Sequence, residues 1–351
     1  MIQFLGVHLG TEAASVAIIA RDLTLSARAS ARVLRAERDP SGPAFEVPPA
    51  EWVRAGTYAI QEAYFQLEAR ARKPWGLGLS GPRGWIALDV EYEPLSPLRI
   101  LPEGEEPPAA GAPEAEGDPP SRLLADILGW FERNPRARRR ACVILSPKDY
   151  FRFAVSGALA ADVTDASRLG LLSPGASDWS AEAVERRGLD RRWLPPVFDS
   201  HLPTGRISEE GMRATSLPGG SWVVAGANEE EARLVSSGDV RGRALWVAAA
   251  QAPGRATYAY SIPHAESVRA PRGWRVVRSA LAGYSVLSRT AEPEAGPEEG
   301  AAFRRSLEGA GYEVSGVEDL GGSAEEGAAL LAAQGSGLVR NWTRYGKWGQ
   351  S

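Results

Sequence analysis

The chain has 351 residues, of which 44% are hydrophobic and 24% charged, with a formal net charge of −4. That length is enough for roughly two domains with sizeable cores, and the composition is ordinary for a soluble globular chain. The charge gives no support to a nucleic-acid or anionic-membrane surface, and no apolar run reaches the roughly 18 residues of a membrane span.

Residues 1–20 read strand, glycine turn, strand. Ile2, Phe4, Val7 and Leu9 form an apolar run, Gly10-Thr11-Glu12 breaks it, and residues 16–20 resume it. Such a pattern signals a hairpin, and a small Gly-Thr turn can also aim backbone N–H groups at an anion. An ordinary buried hairpin fits equally well. A third strand is expected from residue 23 to about 34. Pro48, Pro49 and Glu51 then open a helix whose apolar positions run through Val53, Ile60, Tyr64 and Leu67. Strands follow at 75–79 and 85–90, separated by a loop from Ser80 to Gly84. Residues 102–120 are rich in Pro, Glu, Ala and Gly and read as an acidic surface loop that buries no core.

A helix resumes at 123–131, a short buried strand is expected at 141–145, and a helix from Lys148 to Val155 stops at Gly157. Residues 162–172 read as a polar loop around Asp165-Ala166-Ser167-Arg168, and 179–187 as a short helix ending at Gly188. Strands are expected at 222–225, 245–249, 257–262 and 274–277, with a helix beginning at Glu229. Residues 291–300 form a Pro/Glu/Gly linker. A helix (300–309), a strand (312–317) and a helix (324–333) close the pattern. The mixture implies α/β or α+β layers.

Several chemical motifs are missing: GxxxxGK[ST], HExxH, paired CxxC and GxSxG. His8, His201 and His264 are widely spaced, so no metal ligand set is assigned. Val224-Ala225-Gly226-Ala227-Asn228-Glu229-Glu230-Glu231 is more suggestive, because a strand ends in small residues where a helix opens with three carboxylates. One of them can serve as a general base or magnesium partner, or all three can simply complement the helix dipole. Asp162, Asp165, Ser167 and Arg168 either orient a ligand or satisfy loop backbone groups. Trp52, Trp75, Trp85 and Trp179 either line a sugar site or pack. Cys142 is the only cysteine, so no intrachain disulfide can form, which points to a reducing, cytoplasmic setting. The start of the chain carries no basic n-region or cleavage site. Lys73, Lys148 and Lys347 are the only lysines among 40 basic residues, a bias read as base composition.

Taken together, these stretches resemble the FGGY carbohydrate kinases. Phe4-Leu5-Gly6-Val7-His8-Leu9-Gly10-Thr11 is similar to the family's first phosphate motif, G-[IV]-D-[LI]-G-T. Gly78-Leu79-Ser80-Gly81 followed by Leu88-Asp89 resembles its sugar-binding strand and loop. Pro147-Lys148-Asp149-Tyr150, then Ser156-Gly157, Asp162 to Leu171, Trp179 and Leu194-Pro195 match its P-K-D-[YW]…TG…D.SDAS..GL…W…LP run in order. Val223 to Gly226 with Glu229 resembles V-x-G-G-G-D, and Glu326 to Leu338 the helix near the family's C-terminus.

The resemblance implies two ribonuclease H-like domains of the actin and hexokinase type, 1–217 on the sugar side and a truncated 218–351 on the nucleotide side. It implies ATP and magnesium as cofactors and a small sugar or polyol as substrate. Carried over by position, Glu229 is the base, Gly10 and Thr11 approach phosphate, and Gly81, Pro82 and Arg83 stand at the sugar. The departures fall on the chemistry. His8 stands for the aspartate that helps hold magnesium, and Pro82 and Arg83 for the Q-M-H sugar contacts. The acidic loop replaces W-x-D-x-R, Glu229 an aspartate, and Ala249-Ala250-Gln251 the G-T-S phosphate turn. Gly321-Gly322-Ser323 is a poor match to the adenine-binding segment. Phosphoryl transfer is mostly positioning and charge stabilisation, so these losses imply weak or no ATP-dependent phosphorylation. The alternatives are an active kinase with Glu229 as base, and a non-catalytic sugar- or partner-binding regulatory protein.

Overall fold

The computed structural model describes residues 2–34, 37–40, 42, 44–68, 73–102, 121–172, 178–236, 244–249, 256–263, 275–280, 284–290, 304–308, 316–319 and 323–339. The strand Ile2–Leu9 pairs antiparallel with Ala13–Ala20, which pairs antiparallel with Leu25–Arg32. The turn between the first two closes with Gly10 N–H donating to Ala13 O at 2.9 Å. On its other side Ile2–Leu9 runs parallel to Lys73–Gly81, which runs parallel to Trp222–Val224 and Ala227–Asn228. Pro203–Arg206 finishes the sheet antiparallel to Trp222–Val224.

The period-2 alternation of these strands sorts their side chains between two faces. Leu5, Val7, Val16 and Ile18 pack on one face with Trp52, Ala59, Ile60 and Ala63 of the helix Pro49–Gln66. Phe4, Ile19, Val224 and Ala227 pack on the other with Leu330, Leu331 and Ala333 of the helix Ala324–Gly335. That second helix lies very close to the sheet. A Cβ on Gly78 would come 1.8 Å from Ala328 O, and one on Gly6 would come 1.8 Å from Glu325 O.

A second sheet repeats the plan. Ala244–Ala249, Ala256–Pro263 and Tyr284–Thr290 are successively antiparallel, Arg275–Arg278 adds to the last, and Gly316–Asp319 runs parallel to Ala244–Ala249. Three antiparallel strands with a parallel fourth beside the first is the ribonuclease H-like arrangement, and it occurs twice. Among the described residues no further strand joins Gly316–Asp319. A smaller sheet (Glu37–Arg38, Phe45–Val47, Leu98–Ile100, Gly84–Leu88 and Val143–Leu145) is held by Arg99. Its buried guanidinium contacts Asp39, Glu46 and Asp126 and lies over the Trp85 ring.

Two expectations change. Residues 162–172 are not a loop: Val163–Leu169 is a helix, because the Asp162 side chain accepts the Thr164 N–H as an N-cap and Gly170 ends it in the left-handed region. Trp222–Val224 and Ala227–Asn228, expected to open the second domain, both pair with Lys73–Gly81 of the first sheet. The acidic stretch 103–120, the linker 291–300, His264, Ala250-Gln251 and Gly321-Gly322 lie outside the described residues. No helix among the described residues is long and apolar enough to cross a membrane.

Candidate functional site

Strand register builds the site. His8 is opposite Ser80 across the parallel pair, and Ala227 is opposite Ser80 on the next strand, with Asn228 opposite Gly81. Three parallel strands therefore end side by side at His8, Ser80–Gly81 and Asn228–Glu229. The crevice outside the carboxyl ends of parallel strands is where α/β sheets bind ligands.

Gly226 makes the approach possible. Its φ is +79° and a Cβ there would lie 2.2 Å from Leu79 O, so only glycine lets the chain turn against the sheet before the helix Glu229–Ser236. Asn228 Oδ1 then accepts the Glu231 N–H at 3.0 Å and caps that helix. The three acids of its first turn diverge. Glu229 Oε2 faces His8 Nε2 at 3.7 Å, and Glu230 pairs with Arg168 at 2.8 Å. Glu231 accepts from Ser279 Oγ at 2.8 Å and from Ala280 N–H at 3.0 Å, reaching residues that follow Arg275–Arg278 of the second sheet. Burial pushes the Glu231 carboxyl up to about 7, against the hydrogen bonds from Ala280 and Ser279. The dipole reading covers none of these contacts, so the acids do more than decorate a helix start.

The first-motif residues close the floor. His8 Nδ1 lies 2.8 Å from the fully buried Ser80 Oγ. Gly10 is buried, Thr11 is half-buried, and a Cβ on Gly10 would come 3.2 Å from His8 Nε2. Gly81, Pro82 and Arg83 follow directly on Ser80, and all three are buried. A Cβ on Gly81 would meet the Lys148 Cβ at 3.2 Å. The Arg83 carbonyl accepts the Leu101 N–H at 2.9 Å.

Beneath the strand ends sits a charged cluster that the sequence did not reveal. The Lys148 ammonium, wholly buried, lies 2.6 Å from Asp149, 2.5 Å from Asp162 and 3.1 Å from Asp165. Burial works against its charge, but the three carboxylates outweigh it and hold Lys148 well above the usual lysine range. Burial pushes Asp162 up to about 6 despite Lys148, whereas Lys148 and Arg168 overcome burial to hold Asp165 low. The three carboxylates are close enough together to surround a cation; the Lys148 ammonium already fills that role. Arg152, also fully buried, donates to Asp149 and to Ala225 O at 2.7 Å. Thr164 Oγ1 accepts the Asn228 N–H at 2.8 Å. Helices Pro147–Ser156 and Val163–Leu169 thus brace the turn that presents Glu229.

The Asp162 side chain accepts the Thr164 N–H at 2.8 Å, and Arg168 pairs with Glu230. The tryptophans pack: Trp52, Trp85 and Trp179 are buried in the core, and Trp75 stacks between Phe4 and Trp222. Magnesium, expected beside the first motif, does not fit His8. The imidazole offers nitrogen where magnesium prefers oxygen, and both ring nitrogens already face Ser80 and Glu229.

This arrangement can be set beside known proteins. Residues 123–236 match the FGGY family of carbohydrate kinases, N-terminal domain. Xylulose kinase of Escherichia coli (strain K12) is 26% identical over 253 residues, covering 68% of this chain and 50% of that relative. The chain thus spans half the length of this curated relative. A xyloylose kinase from Brucella ovis superposes with a TM-score of 0.76 at 19% identity, over 97% of this chain and 92% of that one. Xylulose kinase from Rhodospirillum rubrum gives 0.71 at 18% identity, over 88% and 67%. The segment matched by family runs through the Lys148 cluster, the capped helix after Asp162 and the Gly226 turn to the end of the Glu229 helix, which form the Glu229 side of the crevice; His8 and Ser80–Gly81 lie outside it. Over residues 123–236 the chain is thus similar to the N-terminal domain of the FGGY family of carbohydrate kinases.

Proposed function

We propose that the chain transfers a phosphoryl group from ATP to a hydroxyl of a small sugar or polyol, slowly, with Glu229 as the base. The observation that carries this reading is the convergence of Glu229 with Gly10–Thr11 and the Gly81–Arg83 loop at the ends of three parallel strands. Glu229 takes the hydroxyl proton as the sugar oxygen attacks the terminal phosphorus, and the bond to the leaving ADP breaks. Gly10, whose own N–H closes the hairpin, leaves room for the phosphates, Thr11 presents its backbone N–H to them, and Gly81, Pro82 and Arg83 border the sugar. ATP brings its own divalent ion, and no step here runs through a metal held by this chain. Rate is limited because the glutamate arm is one methylene longer than the family's aspartate, and a ~1 Å misplacement can cost ~100-fold. We place the two domains at 1–217 and 218–351, with the strands at 222–228 spanning the junction, and take the second domain to be reduced.

His8 favours a second reading, a non-catalytic sugar- or partner-binding protein, since it removes a carboxylate from the phosphate motif. ATP consumption against a panel including xylulose, other pentoses, hexoses and polyols, repeated with Glu229→Ala, separates the two. Sugar-dependent turnover lost on substitution supports the first reading. Turnover that survives Glu229→Ala removes Glu229 as base. Calorimetric sugar binding without turnover selects the second reading.

A further inference from the structure

Two of the departures from the family pattern at the crevice, His8 and Glu229, face each other. Three observations bear on this. The His8 ring is fixed at Nδ1 by Ser80 Oγ, 2.8 Å away, on a serine with no exposure. Its other nitrogen, Nε2, points into the crevice and lies 3.7 Å from Glu229 Oε2, an ion-pair separation rather than a hydrogen bond. Gly10 leaves the space beside Nε2 open, since a Cβ there would stand 3.2 Å from it. Among the described residues, Glu229 is the charged group within ion-pair reach of the ring, and Ser80 is its neutral partner.

We infer that His8 is a positioning residue for Glu229: seated on Ser80, its ring Nε2 holds the longer glutamate arm at the floor of the crevice beside Gly10. This deepens the phosphotransfer reading and rests on it. An aspartate in place of His8 would set two carboxylates against each other, which the imidazole avoids. Nδ1 meets Ser80 Oγ and Nε2 faces Glu229, so the seated ring fixes where the carboxylate stands when it takes the hydroxyl proton. A ring so placed aims the carboxylate without touching the sugar.

The first test needs no activity. The chain has three histidines, His8, His201 and His264, so their ring resonances can be assigned by single replacement in NMR spectra. At fixed pH the His8 ring resonance is expected to move by more than its linewidth in Glu229→Gln, because the carboxylate facing Nε2 is lost. It should hold in Glu230→Gln, whose carboxylate is turned to Arg168. Equal shifts in both variants, or none in Glu229→Gln, overturn the assignment, and this comparison stands even if His8 variants fail to fold. The second test uses turnover. His8→Gln sets an amide near the Nε2 position, whereas His8→Asn reaches only the Nδ1 position. Asn is expected to lower kcat about tenfold with the sugar KM unchanged, and Gln to keep kcat within about threefold of the parent. Equal losses overturn positioning through Nε2. Should no sugar be turned over by the parent protein, the phosphotransfer reading fails, and the resonance comparison alone decides whether His8 holds Glu229.

Discussion

Lys148 is one of three lysines in the chain and, among the described residues, the only cation within ion-pair distance of all of Asp149, Asp162 and Asp165. Breaking a buried ion cluster by removing one partner costs far more than the cluster contributes, because the remaining charges stay desolvated. Lys148→Met is therefore expected to destabilise the protein by about 3–5 kcal/mol in chemical denaturation. The deficit should shrink toward pH 5. Without the ammonium the carboxylates gain higher folded-state proton affinity, so stability is present at low pH and lost as pH rises through their folded values. A deficit that grows on acidification would show that Lys148 is not what neutralises the cluster. The charge cluster itself was not legible from the sequence, where Pro147-Lys148-Asp149 read as a helix start and as part of a family motif. Asp162 and Asp165 lie 14 and 17 residues further on, and a helix that had been read as a loop brings them back. The signal that was present, Asp162 as an N-cap with Gly170 eight residues later, was masked by the polar character of the stretch.

The strand endings show how much an element-level reading recovers. The hairpin at Gly10, the helix after Pro49 and the helix ending at Gly157 follow from local pattern, and the structure places them at Ile2–Ala20, Pro49–Gln66 and Pro147–Ser156. The convergence of His8, Ser80 and Glu229 does not, because parallel register joins residues 72 and 149 positions further along and no local spacing encodes it. The turn at Gly226 sets Glu229 in place, so Gly226→Ala should disturb both fold and site. A left-handed alanine with its Cβ 2.2 Å from Leu79 O forces the strand and helix apart. We expect a loss of about 1–3 kcal/mol, as for strained backbone positions, together with lost sugar-dependent turnover. Wild-type melting and kinetics in Gly226→Ala would remove this turn from the account.

At the scale of the whole molecule, Glu231 joins the Glu229 helix to Ser279 and Ala280 beside the second sheet. Its folded value of about 7 lies above the ordinary 4.5. The sign follows: the raised group favours folding below pH 4.5 and withdraws that contribution as pH rises through 7, a change on the order of 3 kcal/mol. Glu231→Gln should flatten the fall in melting temperature between pH 5 and pH 8, and an unchanged slope would contradict the assignment. Under the proposed kinase reading, nucleotide affinity also belongs to this scale. With His8 in the first motif, and with Ala249-Ala250-Gln251 offering no glycine, Mg-ATP should bind worse than about 1 mM, roughly −4 kcal/mol. Thermal shift in several millimolar Mg-ATP checks this, because a ligand at ~100 times its Kd would stabilise by ~2.7 kcal/mol.

The helix Ala324–Gly335 that covers Gly6 and Gly78 also fixes an order of events during synthesis. The first sheet leaves the ribosome with Phe4, Ile19, Val224 and Ala227 facing water, and their cover is the last helix described in the chain. About a hundred residues must be translated between the last of those strands and its lid, so a nascent chain halted near Ser236 presents a bare apolar face. Such chains should be held by chaperones or aggregate, and release into a soluble state should coincide with emergence of Gly335.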